Sequence, residues 1–225
     1  MLEEFATECA KVGLRINRKK TVVMTNTENL PIALDGEEIK YVNNFVYLGR
    51  EISFDPGMRQ EIGRRIGAGW GAFRRYKDFF KSRAVSIKLK RRLWNCCVLP
   101  AMLYGSETWT ATQTEWARIE VAQHRMDRAM LGITLRDRKP IEWIRGVTRT
   151  KHVYMESMQR KRNWARKIAR MDGHRWPKKI TEWRPRAFKR GRGRPRTRWR
   201  DPFVKNFGIN WQRRVLDYSD DDFFL

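Results

Sequence analysis

One turn signal, Asp55-Pro56-Gly57, divides the sequence into two parts with different hydrophobic patterns, and this division constrains the fold most. Before the turn, β-branched residues and a tight-turn dipeptide are typical of short strands. After it, apolar residues recur at the spacing of helices for most of the chain. The sequence therefore predicts an α+β fold that is mainly α-helical, with a small N-terminal antiparallel sheet followed by helical regions.

The N-terminal part predicts one helix and a small sheet. Apolar residues at helical spacing predict a helix over residues 2–12. β-branched residues predict a strand within residues 14–24. Further along, Asp35-Gly36 favours a two-residue type I′ turn, because both positions of that turn need positive φ. We expect one antiparallel sheet over residues 14–53.

Helical stripes follow the turn signal. The predicted helices cover a stripe from Ile62 to Phe80 and residues 84–99, 113–131, 140–147 and 151–171. Pro100 is predicted to end or kink the helix before it. The pattern changes after Trp176, because Pro, Gly and Arg dominate residues 184–200 and predict an extended arm.

The chain carries 49 Lys and Arg against 25 Asp and Glu, a net charge of +24. A compact protein this basic usually binds a polyanion, so RNA, DNA or both are the expected partners. No apolar run approaches the length that spans a bilayer and no secretory signal is present, so we expect neither a membrane partner nor secretion. The His and Cys residues lack metal-ligand spacing, so no metal site is predicted. Cys9, Cys96 and Cys97 are expected to be reduced.

The arm gives the strongest binding signal of the residues themselves. Arg192-Gly193-Arg194-Pro195 has the core of an AT-hook, in which glycine between arginines lets an extended backbone enter an A·T-rich minor groove. The alternative is a basic linker that contacts any phosphate backbone. The same residues could serve as a nuclear localisation signal. We therefore expect a nuclear protein or a cytoplasmic ribonucleoprotein.

Further basic and aromatic residues extend this binding prediction. Trp199 could stack on a base or fix the arm to the body of the protein. The predicted nucleic-acid-binding residues are Lys189, Arg190, Arg192, Gly193, Arg194, Pro195, Arg196, Arg198 and Trp199 of the arm, with Arg162, Arg166 and Arg170 of the helix at 151–171.

Six blocks of the sequence occur in a recognisable order. They are GLRINRKKT at 13–21, FVYLG at 45–49, CVLPAMLYGSETWT at 97–110, MDRAMLGI at 126–133, WARKIARMDGHRW at 164–176 and GRPRTRWRD at 193–201. Together they resemble the C-terminal part of a LINE-type (non-LTR) retrotransposon reverse transcriptase. The resemblance implies a palm remnant at 1–53, a thumb-like helical region at 54–110, a helical C-terminal region at 111–183, and a basic extended arm with an acidic tail at 184–225.

The resemblance also implies roles for residues near the N-terminus. Lys20 matches a lysine near the incoming nucleotide, and Tyr47-Leu48-Gly49 matches the turn that grips the primer. The family's two catalytic aspartates precede these blocks, and the chain begins at Met1 after their place, so no catalytic residue is assigned. The full-length family enzyme would use Mg²⁺, whereas this chain is expected to hold no cofactor. The missing palm and fingers are a further expected partner.

Two acidic clusters imitate metal sites without the required layout. Tyr218-Ser219-Asp220-Asp221 follows the other palm blocks instead of preceding them. Asp35, Glu38 and Lys40 lie in or beside a predicted turn, so a nuclease site is not expected. We expect a fragment of an RNA-directed DNA polymerase that binds template RNA, cDNA or target DNA and does not polymerise alone. The alternative is a domesticated DNA- or RNA-binding protein anchored by the AT-hook-like arm.

Overall fold

The computed structural model describes residues 1–54, 57–183 and 197–217, and the chain divides into two compact units, Met1–Gly57 and Met58–Leu225. Helices dominate the described residues, and two small antiparallel sheets lie in the first unit. The predicted α+β class, mainly helical, is confirmed. The finer division into palm, thumb and C-terminal regions stays a prediction.

The first unit holds one helix and two hairpins. Its elements are α1 (Leu2–Lys11), β1 (Ala33–Leu34), β2 (Glu37–Glu38), β3 (Asn44–Tyr47) and β4 (Arg50–Ser53). Strand β1 pairs with β2, and β3 pairs with β4, each in the antiparallel sense. Asp35 and Gly36 join the first pair with φ of 51° and 77°, so the predicted type I′ turn is confirmed.

The prediction of one sheet over residues 14–53 is wrong in its first strand. Arg18–Lys20 forms a short 3₁₀ helix, and the Lys20 N–H donates to the Asn17 side chain at 3.2 Å. Such a local bond offers the backbone an alternative to a ladder. Val23 makes an isolated bridge to Tyr41, and the two hairpins form separate two-stranded sheets.

The described residues of the second unit are mainly helical, and within residues 58–183 short loops or 3₁₀ turns join the elements. They are α2 (Met58–Arg75), α3 (Lys77–Lys81), α4 (Ile87–Leu93), a π-helical turn (Trp94–Val98), α5 (Leu99–Met102), α6 (Gln113–Leu131), α7 (Ile141–Thr148), α8 (Val153–Ala169), α9 (Trp176–Glu182), α10 (Asp201–Phe207) and α11 (Trp211–Asp217). The helix predicted at 113–131 is confirmed with the same bounds, and a capping box of Thr112 and Glu115 begins it.

A single apolar cluster forms the main core of the second unit. It brings together α2, α3, the π-helical turn, α5, α6 and the start of α8. The side chains predicted to point inward from α6 are all buried: Trp116, Ile119, Met126 and Met130. Trp94 and Met102 are completely buried beside them. Stripe spacing thus predicted the inner face of the longest helix correctly.

Pro100 does not end the helical run in which it lies, so the first of the two predicted effects, an end or a kink, is wrong, and the kink stays a prediction. Helix α4 passes through the π-helical turn into α5, and Pro100 lies in the first turn of α5. Proline is tolerated there, because its missing N–H would lack a partner in a first turn anyway. The wider π turn, in which the Leu99 N–H donates to the Trp94 carbonyl, directly precedes α5. Helix α5 therefore begins just before Pro100, which lies in its first turn.

None of the described helices is long and apolar enough to cross a membrane.

Candidate nucleic-acid interface

The last two described helices pack against α8 within the second unit. Helices α10 and α11 meet α8 in a small apolar cluster of buried side chains: Ala165, Phe203, Phe207, Trp211 and Val215. The Arg166 Nε donates to the Val215 carbonyl at 3.0 Å. The prediction of an arm and tail over 184–225 is therefore wrong for residues 201–217, where large apolar side chains at helical spacing bury themselves.

Trp199 lies where the chain re-enters the described fold, and its indole is held on several sides. Its Nε1 donates to the Glu107 carbonyl at 2.7 Å. The ring centroid lies 5.2 Å from that of Phe203 and 6.2 Å from that of Trp211. The Lys161 ammonium lies 5.6 Å from the same ring. Of the two alternatives for Trp199, this geometry favours the one that fixes the chain to the body.

Lys161 is a buried cation next to the Trp199 ring. It is 4% exposed, and its Nζ donates to the Trp109 carbonyl at 3.0 Å. Burial lowers the pKa of Lys161 to about 8, and the nearby Asp201 carboxylate partly opposes the shift. The side chain therefore ties α8 to the segment before α6 and to Trp199.

An open cleft of about 490 Å³ lies beside Trp199, between α8, α9 and the start of the described segment 197–217. The residues of its wall that matter here are Trp164 and Ile168 of α8, Ile180 of α9, Trp183, Arg198 and Arg200. Residues 183 and 197 are the two points at which the described chain stops and resumes. The cleft thus lies at both ends of the arginine-rich segment 184–196.

The predicted binding residues of α8 divide into buried and exposed ones. Arg162 is 1% exposed and donates to Gln159 on the same helix. Its assignment as a phosphate contact is therefore corrected, because its guanidinium lies inside the fold. Arg166 is half-buried, whereas Arg170 is exposed at the end of the helix. Lys167 is also exposed, with its ammonium 5.5 Å from the ring of Trp164.

Most of the predicted arm lies outside the described residues. This applies to Lys189, Arg190, Arg192, Gly193, Arg194, Pro195 and Arg196, whose role in binding stays a prediction. Arg198 is half-buried at the wall of the cleft, and its backbone N–H donates to the Asp201 carboxylate at 2.6 Å. The Arg200 guanidinium donates to the Thr181 carbonyl at 3.3 Å.

The residues assigned to the primer and the nucleotide lie at exposed turns of the first unit. Lys20 is exposed at the end of its 3₁₀ turn. Leu48 and Gly49 form the tip of the β3–β4 hairpin with φ of 48° and 79°, and Tyr47 is 58% exposed beside them. A leucine at positive φ is uncommon, and here its side chain is 75% exposed. The hairpin presents apolar groups outward, and their contact with a primer stays a prediction.

A buried polar cluster joins α6 to the start of α8, and the sequence pattern did not predict it. The Gln123 amide accepts from the first backbone N–H of α8 at 3.0 Å, and the Thr150 hydroxyl donates to Asp127 at 3.0 Å. Asp127 is completely buried, and this burial raises its pKa to about 7. Burial, helped by the positive charge of Arg145, lowers the pKa of His152 to about 4.

A second feature that the prediction missed is an exposed apolar stripe on α9 and the residue after it. Trp176, Ile180 and Trp183 are 73%, 67% and 68% exposed. They are four and three residues apart, which is typical of one helix face. Of these three residues, Ile180 and Trp183 line the cleft, whereas Trp176 lies outside its wall.

The described residues do not fit the magnesium site that the resemblance implies for the full-length enzyme. Nowhere in the described ranges do three or more His, Cys, Asp or Glu side chains lie close enough together to hold a metal ion.

Fold and site together define a strongly basic, mainly helical protein that exposes aromatic side chains beside an arginine-rich segment. Over 215 residues the chain is 34% identical to a Caenorhabditis elegans protein whose name describes it as uncharacterized and transposon-derived. The match covers 91% of this chain and 77% of the relative. The chain therefore belongs to the family of this transposon-derived protein. It matches no family model and no solved structure.

Proposed function

We propose that the chain carries the palm-end, thumb and C-terminal regions of a LINE-type reverse transcriptase and binds template RNA, cDNA or target DNA. The observation that carries the proposal is the surface of the second unit around the cleft, which places cations beside exposed aromatic rings. The transposon-derived relative, aligned over 91% of the chain, supports a mobile-element origin.

Nucleic-acid binding suits the chemistry of this surface. Phosphates attract exposed cations such as Lys167 and Arg170, and the counterions that they displace add to the affinity. Aromatic rings such as that of Trp183 offer bases a stacking surface that depends little on sequence. Arg198 places a guanidinium at the same wall. Charge and stacking together distinguish this surface from an ordinary solvated helix face.

The reverse-transcriptase part of the proposal rests on the order of the sequence blocks and on the exposed turn at the tip of the β3–β4 hairpin. The sequence blocks that carry the resemblance include no pair of adjacent aspartates. We therefore expect no primer extension by this chain alone with Mg²⁺ and nucleotides. Incorporation of nucleotides onto a primer by the purified chain would contradict this part of the proposal.

The proposed nucleic-acid binding is tested with two variants, each of which loses three positive charges from a different part of the chain. Changing Arg192, Arg194 and Arg196 together to Gln is expected to lower the affinity for RNA and DNA at least tenfold, because each neutralised phosphate contact is lost. The matched control changes Arg74, Arg75 and Lys77, exposed near the end of α2, to Gln. Its affinity is expected to fall roughly threefold or less. Equal losses in the two variants would show that net charge alone, and no particular surface, governs binding.

The same binding assay separates the AT-hook alternative. A domesticated minor-groove binder would prefer A·T-rich duplex over G·C-rich duplex and over single-stranded RNA. A retrotransposon-type chain is expected to bind all three within about tenfold, since phosphate contacts carry little sequence information.

A further inference from the structure

The cleft between α8 and α9 has the size and the chemistry of a ligand site. Its volume of about 490 Å³ falls within the range of about 300–1,000 Å³ that small-molecule pockets occupy. Its wall combines flat aromatic and aliphatic side chains with two guanidinium groups, Arg198 and Arg200. A nucleotide has two matching parts, a flat base that suits the aromatic and aliphatic side chains and an anionic phosphate that suits the guanidinium groups.

The aromatic rings of the cleft differ in their exposure to solvent and in their contacts within the protein. Trp199 is held by its hydrogen bond to Glu107 and by its ring neighbours. Trp183, by contrast, is 68% exposed just after α9, and Ile180 one turn earlier is 67% exposed. Large apolar side chains exposed together usually mark an interaction surface. Trp183 is therefore the ring of the cleft that a base can reach.

Positive charge surrounds these rings on more than one element. Lys167 lies over Trp164, which forms the α8 wall of the cleft. The Arg200 guanidinium bonds to the Thr181 carbonyl of α9, so it is held at the wall. The sequence between the two described ends of the chain, RPRAFKRGRGRPR at 184–196, holds seven of the 49 Arg and Lys residues of the chain.

We propose that this cleft binds unpaired bases of a single-stranded nucleic acid, with Trp183 stacking on a base and Arg198 and Arg200 on the adjoining phosphates. The inference rests on the proposed nucleic-acid binding and adds a preference for single strands. Bases of a duplex already stack on each other, and only unpaired bases present a free face to an aromatic side chain. Charge complementarity selects a nucleic-acid strand over an apolar peptide as the occupant.

The test measures binding of the full chain to a labelled single-stranded oligonucleotide and to a hairpin duplex of equal charge. Trp183→Ala is expected to weaken single-strand binding roughly tenfold, because stacking on one base is lost. Duplex binding is expected to stay within about twofold. Trp183→Phe keeps an aromatic face and is expected to retain most of the affinity. The matched control is Trp176→Ala, which removes an equally exposed tryptophan of α9 outside the wall of the cleft.

The possible outcomes separate the inference from the function on which it rests. Selective loss of single-strand affinity in Trp183→Ala, with Trp176→Ala unchanged, supports the inference. If both tryptophan variants bind like the unaltered protein, the cleft has another occupant, such as the segment 184–196 itself, and the inference is overturned. Equal losses on duplex and single strand overturn it as well. If the unaltered chain binds neither nucleic acid, the proposed function fails together with it.

Discussion

Asp127 is a carboxyl group held inside the second unit, and its protonation links the stability of the fold to pH. Burial raises its pKa from near 3.8 to about 7, while the Thr150 hydroxyl and the charges of Arg145 and Arg128 oppose the rise. Between these two pH values the native state holds a proton that the unfolded chain has lost. The free energy of unfolding therefore falls as the pH rises. Above pH 7 the buried carboxylate costs on the order of 4 kcal/mol.

Asp127→Asn is expected to become more stable relative to the unaltered protein as the pH rises from about 5 to about 8. Asparagine keeps an acceptor for the Thr150 hydroxyl and never ionises. Its buried amide adds a cost, but this cost does not change with pH. The opposite slope of His152, whose pKa burial lowers to about 4, is present in both proteins and cancels in the comparison. Urea unfolding at the two pH values measures the difference.

Asp137→Asn is the control for this experiment. Hydrogen bonds from the Thr134 N–H and hydroxyl lower the pKa of the exposed Asp137 carboxyl. It is therefore ionised at both pH values in the native and the unfolded state. Its replacement is expected to change stability by the same amount at both. A gain for Asp127→Asn that does not grow with pH would show that the carboxyl titrates normally.

Burial also decides which cations reach the surface. Lys90, Lys161 and Arg162 are 5%, 4% and 1% exposed, although all three lie in basic runs of the sequence. The Nζ of Lys90 donates to the Met130 carbonyl at 2.8 Å. Sequence periodicity could not predict this, because a long side chain can bury its apolar stem and reach a distant carbonyl. The charge of the chain therefore overstates the cations available to a phosphate.

At the scale of elements, helix α2 approaches α5 closely at Gly69, the only glycine of α2 at which an added Cβ would clash. A Cβ added at Gly69 would lie 2.1 Å from the Met102 Cγ and 2.7 Å from its Sδ, and Met102 is completely buried. Gly69→Ala is expected to lower the free energy of unfolding by about 1–3 kcal/mol, because overpacking forces the core apart. Denaturant unfolding followed by circular dichroism measures the change.

Gly71→Ala, in the same helix, is expected to change the stability in the opposite direction. A Cβ there meets no atom within 4 Å, and its φ is not in the left-handed region. Alanine is expected to stabilise the protein by up to about 1 kcal/mol, since it favours the helical backbone. If the two variants change stability in the same direction and by the same amount, the close approach of α2 and α5 is not what requires Gly69.

Elements with a clear period and a local signal were predictable, and those decided by tertiary contacts were not. Helix α6 has both an apolar stripe and a Thr112–Glu115 capping box, and its predicted bounds are correct. The Asp35-Gly36 turn was equally clear, because few residues adopt its conformation. Pro100 does not end the helical run, because buried side chains on both sides, such as Trp94 and Met102, hold α4, the π-helical turn and α5 together.

The candidate site was predictable in its charge but not in its shape. The arginine-rich run and Arg170 stand out in the sequence. The sequence left Trp199 two alternatives, to stack on a base or to fix the arm to the body, and the structure favours the second, because the Trp199 Nε1 donates to the Glu107 carbonyl. The exposed ring of Trp183 could not be distinguished from a core tryptophan, because helical spacing is the same for both. Only the position of α9 against α8 decides which ring is left free.

At the scale of the whole molecule, a net charge of +24 predicts that the proposed binding to nucleic acid weakens as the salt concentration rises. If about six phosphates are neutralised, the logarithm of the association constant should fall with the logarithm of salt at a slope near −5. The affinity would then drop about a thousandfold between about 50 and about 200 mM salt. Fluorescence anisotropy of a labelled RNA or DNA gives this slope directly.

The salt dependence of the association constant also separates the contribution of charge from that of base stacking. An affinity measured at one salt concentration cannot separate them. Neutralising Arg192, Arg194 and Arg196 together removes up to three phosphate contacts, so the slope should become less steep by roughly 2 to 3. Trp183→Ala removes a stacking surface that carries no charge, so it should lower the affinity for a single strand at every salt concentration and leave the slope unchanged. A slope near zero in the unaltered protein would mean that its excess of positive charge is not engaged by nucleic acid. Apolar contacts would then have to account for any binding that is seen.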